Sequence, residues 1–173
     1  MKPKGYIQVY TGNGKGKTTA AIGLALRAAG SGKKIFFAQF VKGRTYSETE
    51  AMNKYIPEIK LEQYGLESFI LNTPTEKDIE AARTGLKKVS RIIEEGLYDL
   101  IILDEANIAL YFNLFSVSEL IEAIKKKKPE TEIVITGRNA PAELIEIADL
   151  VTDMKEVKHY YTRGVKARKG IEY

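Results

Sequence analysis

A glycine-rich segment near the start of the chain carries residue types that bind phosphate. It reads Gly-Asn-Gly-Lys-Gly-Lys-Thr-Thr over residues 12–19 and lies between an apolar strand pattern and an apolar helical pattern. Glycines let successive backbone N–H groups turn towards an anion, and a helix that begins near Lys17 adds the positive end of its dipole. Lys17 would reach phosphate oxygens, and the Thr18 hydroxyl would hold a magnesium ion. The segment predicts a phosphate-binding loop rather than a plain glycine turn.

The spacing of this loop departs from the usual pattern. The place of the first glycine is taken by Thr11, so that Gly12 stands one residue closer to the Gly-Lys pair than the motif requires. We therefore expect a variant loop that binds its nucleotide differently from a loop of the usual spacing. The candidate nucleotide ligands within it are Gly12, Asn13, Gly14, Lys15, Gly16, Lys17, Thr18 and Thr19.

Two carboxylates follow the apolar run Leu100-Ile101-Ile102-Leu103. Asp104 and Glu105 are placed to serve as oxygen ligands for magnesium, because the end of an adjacent strand lies close to a phosphate-binding loop. The alternative is that Asp104 caps the next helix and Glu105 is solvated. Together with the loop, the metal interpretation is the stronger one.

Other polar positions are open to two interpretations. Arg138 and Asn139 follow an apolar strand and could contact a nucleotide, or they could form a strand-to-helix turn with Asn139 as the cap and Pro141 in the first helical turn. Arg27 lies towards the end of the loop's helix, where spacing alone favours a solvated position. His159 is the single histidine, and we do not expect it to be catalytic. No motif presents a protein nucleophile, so an enzyme of this sequence would position substrates and stabilise charge.

Apolar strand patterns alternate with helical patterns along the whole chain. The predicted strands are Tyr6–Tyr10, Lys34–Phe40, Ile59–Tyr64, Asp99–Leu103, Glu132–Thr136 and Leu150–Met154. Helix starts are predicted at Thr73-Pro74-Thr75-Glu76, with Thr73 as cap, and at Ser116-Val117-Ser118-Glu119, ahead of a helix over Leu120–Lys127. This predicts an α/β fold with a doubly wound, mostly parallel sheet and helices on both faces, the P-loop NTPase (RecA-like) architecture, in a single domain over residues 1–173.

Composition narrows the class of protein. The chain has 173 residues, a net charge of +4 and no cysteine, which excludes disulfides, thiolate catalysis and cysteine-ligated metals. We expect no signal peptide, no membrane span and a cytoplasmic location. A basic tail over residues 155–173 is either a solvated surface or an anion contact, and its charge is too small to predict nucleic-acid binding.

Several motifs together resemble one family. They are Thr11–Ala21 around the loop, Gln39-Phe-Val-Lys-Gly43, Leu103-Asp-Glu105, Thr136-Gly-Arg-Asn-Ala-Pro141, and Glu156-Val-Lys-His159 with Lys166–Tyr173. In this order and over nearly the whole chain they resemble the ATP:corrinoid adenosyltransferases of the CobA/BtuR type. The resemblance implies that reduced Co(I) of a corrinoid attacks the 5′ carbon of ATP and that triphosphate leaves.

The resemblance also implies roles for particular residues. Asn13 and Arg27 would contact the nucleoside, Thr18 and Glu105 would hold Mg²⁺ or Mn²⁺, and ATP would bind reversed relative to ordinary phosphate-loop enzymes. Lys17 and Glu105 are the candidate catalytic residues. The implied partners are ATP, a reduced corrinoid, an electron donor such as a flavoprotein and a second copy of the chain.

One departure concerns the corrinoid side of the site. The family has tryptophans where this chain, which has none, carries Arg44–Glu48 and Gly65–Ile70. Tyr46 and Phe69 are the candidate substitutes. Two alternatives stay open at this stage: a generic phosphate-loop NTPase or kinase, and a RecA-like, nucleotide-gated module that contacts nucleic acid through the basic tail.

Overall fold

The computed structural model describes residues 3–67, 70 and 73–172. The strands of this part are β1 (Ile7–Thr11), β2 (Ile35–Phe40), β3 (Ile59–Tyr64), β4 (Leu100–Asp104), β5 (Glu132–Thr136) and β6 (Leu150–Asp153). The helices are α1 (Lys17–Gly30), α2 (Ser47–Tyr55), α3 (Glu76–Glu95), α4 (Ala106–Tyr111), α5 (Val117–Lys125) and α6 (Ala142–Ile147), with a short 3-10 turn at Tyr160–Arg163. The strands form one sheet in the order β3-β2-β4-β5-β1-β6, and each pairing is parallel.

Helices cover both faces of the sheet. α1 and α2 pack over one apolar cluster, to which Ala21, Ala25 and Met52 contribute. α3, α4, α5 and α6 pack over the other, larger cluster. The central strands β2 and β4 are buried along their whole length, which explains their largely apolar sequences. The predicted doubly wound α/β fold is confirmed, and within the described residues the sheet is parallel throughout. No helix in this part of the chain is both long enough and apolar enough to cross a bilayer.

The predicted strands lie within one residue of the observed ones, and two of them, β3 and β5, match at both ends. The prediction of Thr73 as the cap of α3 is wrong. Thr75 is the cap, because its side chain accepts from the backbone N–H of Asp78 while the Asp78 carboxylate accepts from the N–H of Thr75. The Ser116–Glu119 capping box is confirmed, and the helix that it begins starts at Val117. Helix α2 was not predicted.

A parallel sheet places the carboxyl ends of its strands on one edge, where ligands bind in open α/β folds. The glycine loop follows β1, Lys42 follows β2, and Asp104 ends β4. The expectation that the carboxylate strand is adjacent to the loop strand is wrong, because β5 lies between β4 and β1. The two motifs still meet, because α1 leaves the loop and packs across the sheet against β4 and β5.

Candidate nucleotide-binding site

The glycine loop wraps around the Lys17 ammonium. Lys17 Nζ donates to the carbonyl oxygens of Gly12 at 2.6 Å and Gly14 at 2.7 Å, and the residue is only 9% exposed. Gly12 and Gly16 have φ of 96° and 125°, a conformation that side-chain-bearing residues rarely adopt. Burial, followed by the positive charge of Arg138, lowers the pKa of Lys17. A buried cation in a loop of glycines is suited to receive an anion.

The glycines are also required by a neighbouring segment. A Cβ on Gly12 would lie 2.5 Å from the carbonyl oxygen of Met154, and one on Gly14 would lie 2.6 Å from the same atom. The Gly14 N–H donates to that oxygen at 2.6 Å. The residues that follow β6 therefore pack directly against the loop, and the spacing of its glycines serves this contact.

Asp104 lies at the centre of the hydrogen bonds that join the strand ends. Its Oδ1 accepts from the hydroxyls of Thr18 at 2.8 Å and Thr136 at 2.7 Å. Its Oδ2 accepts from Gln39 Nε2 at 3.2 Å and Lys42 Nζ at 3.1 Å. The residue is fully buried. The predicted meeting of Thr18 with the carboxylate strand is thus observed, and Asp104 itself holds four donors rather than capping α4.

Three residues of this network were not singled out from the sequence as site residues. Gln39 belongs to the motif Gln39–Gly43 but was not assigned a role. It is a fully buried polar side chain in the otherwise apolar strand IFFAQF, and such a residue usually needs a hydrogen-bond partner, so the sequence did contain an indication of its role. Lys42 and Thr136 each follow or end an apolar strand at the same edge. Although burial opposes its charge, the carboxylates of Asp104 and Glu105 raise the pKa of Lys42.

Glu105 occupies a strained and partly buried position beside this network. Its φ is 59°, and its backbone N–H donates to Thr136 Oγ1 at 3.1 Å. Its Oε1 lies 3.7 Å from Lys42 Nζ, and its side chain is 23% exposed. Burial, and next the negative charge of Asp104, raise the pKa of Glu105. A non-glycine residue held in this conformation is typical of functional sites.

The turn after β5 reaches the same site. Arg138 is exposed, and its positive charge acts to lower the pKa of both Lys17 and Glu105, so it lies within electrostatic range of them. Asn139 is exposed with φ of 58°, and α6 begins after Pro141 as the cap, so the alternative in which Asn139 caps the helix is wrong. Asn107 supports the turn from behind, because its Nδ2 donates to the carbonyl of Gly137 at 3.0 Å.

The remaining predicted residues are spread more widely. Asn13 and Thr19 are exposed on the loop and on the first turn of α1. Arg27 is exposed in the last turn of α1, about 15 Å from Lys17 along the helix axis. Its proposed contact with the nucleoside stays a prediction. Phe69 lies outside the described residues.

The two segments predicted to face the corrinoid contact each other. Arg44 Nε donates to the carbonyl of Glu67 at 2.5 Å, and Gln63 Nε2 donates to the carbonyl of Arg44 at 2.9 Å. A Cβ on Gly43 would lie 2.5 Å from Gly65 O, so the chains approach closely. Tyr46 is half-buried at the start of α2 beside this contact. The structure thus forms one wall from both segments, next to Lys42.

Comparison with known proteins gives consistent matches over the full length. The family model described as ATP:corrinoid adenosyltransferase BtuR/CobO/CobP matches residues 3–173. The corrinoid adenosyltransferase of Sinorhizobium is 38% identical over 98% of this chain and 81% of its own length. That of Escherichia coli K12 is 35% identical over 98% and 86%, and CobA of Salmonella typhimurium is 34% identical over 100% and 88%.

A solved structure supports the fold independently. A KaiC-like protein from Pyrococcus horikoshii superposes with a TM-score of 0.56 over 88% of this chain and 74% of its own, at 18% identity. At this identity the likeness concerns the fold alone, and it agrees with the predicted RecA-like architecture.

Proposed function

Because the chain belongs to the ATP:corrinoid adenosyltransferase family BtuR/CobO/CobP, its activity is the transfer of an adenosyl group from ATP to a corrinoid, and we propose how its residues perform that transfer. One observation carries the proposal: Lys17, Thr18 and the Asp104–Glu105 pair converge at one edge of the sheet. The generic NTPase or kinase alternative is not favoured, since the family match covers almost the entire chain.

The loop binds the triphosphate of ATP. Two of the three N–H donors of the Lys17 ammonium are directed to loop carbonyls, so a phosphate oxygen can take the third or replace a carbonyl. Arg138 adds a second positive charge near Lys17. Asn13, Thr19, Asn139 and Arg27 are the proposed contacts with the rest of the nucleotide.

The side chains around Asp104 suit magnesium or manganese. Mg²⁺ prefers oxygen ligands, and oxygen atoms are provided here by Thr18, Asp104 and Glu105. Both oxygens of Asp104 already hold two donors each, whereas Glu105 is approached only by Lys42, at 3.7 Å, among its described side-chain contacts. We therefore assign Glu105 as the direct carboxylate ligand and Asp104 as the residue that orients Thr18. When bound, the metal would neutralise charge on the triphosphate.

The reaction requires no nucleophile from the protein. The electron pair of the new cobalt–carbon bond comes from the Co(I) corrinoid, which is a substrate. The bond between C5′ and its oxygen breaks, and its electron pair leaves with the triphosphate. Lys17, Arg138 and the loop N–H groups stabilise this leaving group. The wall formed by residues 42–46, which include Tyr46, and 63–67 is the proposed corrinoid side, and Phe69 stays a prediction from the sequence.

Further partners follow from this chemistry. The proposed source of Co(I) is an external reductant, such as a flavoprotein. The proposed assembly is a homodimer, supported by exposed apolar side chains on the edge strand β6, where Leu150 is 44% and Val151 40% exposed. Sedimentation equilibrium would test this assembly.

The proposed location of the protein is the cytoplasm, where ATP is made. Nucleic acid is not a proposed partner.

Product analysis tests the proposal most directly. The protein is incubated with ATP, magnesium and chemically reduced cobalamin, and the mixture is separated by chromatography. We expect adenosylcobalamin and inorganic triphosphate, with little ATP hydrolysis when corrinoid is omitted. ADP and phosphate with unchanged cobalamin would contradict the proposal and support an NTPase. Nucleic-acid binding that falls steeply with salt would instead support the RecA-like module.

A further inference from the structure

Lys15, the other lysine of the loop, points away from the cradle that holds Lys17. Its Nζ donates to the carbonyl oxygen of Ile171 at 2.8 Å, to Glu172 Oε1 at 2.9 Å and to the Tyr160 hydroxyl at 3.3 Å. An ammonium has three N–H donors, and these three acceptors occupy all of them. Lys15 therefore reaches a phosphate only if the C-terminal segment is released.

Glu172 is the central residue of the C-terminal segment in this contact with Lys15. Its carboxylate accepts from Lys15, from the Tyr160 hydroxyl and from the Arg168 guanidinium, and Oε2 accepts from the Arg168 N–H at 2.7 Å. The Arg168 guanidinium also lies 5.2 Å from the centre of the Tyr160 ring. Although the segment is mostly exposed, the Glu172 side chain is only 17% exposed. These contacts lower the pKa of Glu172.

A second contact joins the same parts of the chain. The Met154 carbonyl accepts from the Gly14 N–H, and the Lys155 carbonyl would lie 2.9 Å from a Cβ on Gly14. The loop is thus held at Gly14 by the end of β6 and at Lys15 by the last described residues. Between these points the chain runs back over the loop through the 3-10 turn at Tyr160–Arg163.

We propose that Lys15 is a positioning residue rather than a phosphate ligand, and that Glu172 acts through it to hold the loop in the conformation that binds triphosphate. The inference rests on the proposed function of the loop in binding ATP. It assigns a role to the basic C-terminal segment: its acidic residue Glu172 fixes the loop, while its Arg168 pairs with that acid.

The test compares the affinity for ATP of four proteins by calorimetry: the wild type, Lys15→Met, Glu172→Gln and the double variant. Each single change should weaken ATP binding about fivefold. This fold-change corresponds to the upper end of the free energies measured for solvent-exposed ion pairs. The double variant should bind no more weakly than either single one, since both changes remove the same contact. The KM for corrinoid and the unfolding midpoint should not change, because the segment lies outside the core.

The opposite outcome is distinct. If Lys15 is a direct phosphate ligand, Lys15→Met weakens ATP binding while Glu172→Gln leaves it unchanged or tightens it, because the lysine is then freed for phosphate. That result would overturn the proposal. Lys166→Gln removes an exposed cation of the same segment and is the matched control, which should bind ATP like the wild type.

A readout that needs no activity separates this inference from the proposed function. Trypsin cleavage within residues 163–169 should be faster in Lys15→Met and Glu172→Gln than in the wild type, and circular dichroism should show both variants folded. Equal cleavage rates in all three would overturn the proposed contact. Failure of the wild type to bind ATP at all would instead contradict the proposed function.

Discussion

At the scale of single side chains, Lys17 is the residue on which nucleotide binding depends most. We expect Lys17→Ala to abolish detectable turnover and to weaken ATP binding by at least about tenfold, because it removes the buried cation at the centre of the loop. The fold should survive, since the lysine lies at a helix start at the edge of the sheet. Calorimetric titration with ATP measures the affinity. An Ala variant that is folded and binds ATP like the wild type would contradict this role.

Substitutions of Glu105 and Asp104 should have different effects on activity and stability. Glu105→Gln keeps the shape of the side chain but removes the charge, so we expect activity to fall by about 10²-fold and the magnesium dependence to shift to higher concentration. Asp104→Asn should also lower the unfolding midpoint, because it disturbs a buried carboxylate with four donors. Magnesium titrations of activity, with thermal unfolding beside them, check both. A wild-type magnesium profile in Glu105→Gln would show that it is not the ligand.

Residue types and spacing predicted part of the candidate site and missed the rest for a physical reason. The loop and Thr18 could be found because a strand, a glycine turn and a helix follow one another in sequence, and Asp104 because it follows an apolar strand run. Gln39 and Lys42 could not be placed beside Asp104 without the strand order, since Gln39 lies in β2, Lys42 follows it, and both approach the site only through the pairing of β2 with β4. The three acceptors of Lys15 are more than 140 residues away, so no local pattern indicates them.

At the scale of elements, the start of α3 depends on a cap that sequence spacing placed two residues too early. Thr75→Ala removes the hydroxyl that accepts from the Asp78 N–H, and we expect a loss of about 1 kcal/mol in the free energy of unfolding. Thr73→Ala should cost much less, and it is the matched control. Urea denaturation measures both. Equal losses in the two variants would contradict the assignment of Thr75 as the cap.

The contact between β3 and α3 should depend on pH. Although burial opposes it, hydrogen bonds from Lys88 and Tyr64 lower the pKa of Glu62, and Lys88 Nζ lies 2.6 Å from its Oε2. A lowered pKa stabilises the folded state above the ordinary glutamate pKa of about 4.3, and this stabilisation is lost as the pH falls through the lower value.

Glu62→Gln should therefore lose about 0.5 kcal/mol of unfolding free energy at pH 7, and less at pH 3. Urea denaturation at both pH values measures the difference from the wild type. Glu80→Gln changes an exposed carboxylate on α3, the helix that carries Lys88; it is the control and should lose little at either pH. A loss that is the same at pH 7 and pH 3 would mean that the charge of Glu62 does not contribute.

Elements were predicted well where they are buried on both faces. The apolar runs of β2 and β4 predict buried strands. In contrast, α2 has the polar sequence SETEAMNKY, in which few apolar residues indicate a helix. Its Met52 is buried against the sheet, so tertiary packing rather than amphipathic pattern stabilises this helix.

At the scale of the whole molecule, both apolar clusters share one sheet, so they should unfold together. Ile102 lies in β4, is 0% exposed and packs on the α1 side. We expect Ile102→Ala to cost about 2–5 kcal/mol and the unfolding transition to stay single and cooperative, as for one domain. Coincident melting curves from far-UV circular dichroism and tyrosine fluorescence check this. Two separated transitions would contradict the predicted single domain.

The order of the strands has a consequence for how the chain acquires its structure. β1, which leads into the phosphate-binding loop, is paired in the described residues with β5 and β6, which are synthesised after the other described strands. During synthesis on the ribosome, β1 therefore has no paired strand until Thr136 has emerged, and it gains its second partner only after Asp153. Such distant pairing gives a high contact order, which slows folding. Nucleotide should then bind only after β5 and β6 have paired with β1, so ATP cannot assist the earlier steps of folding.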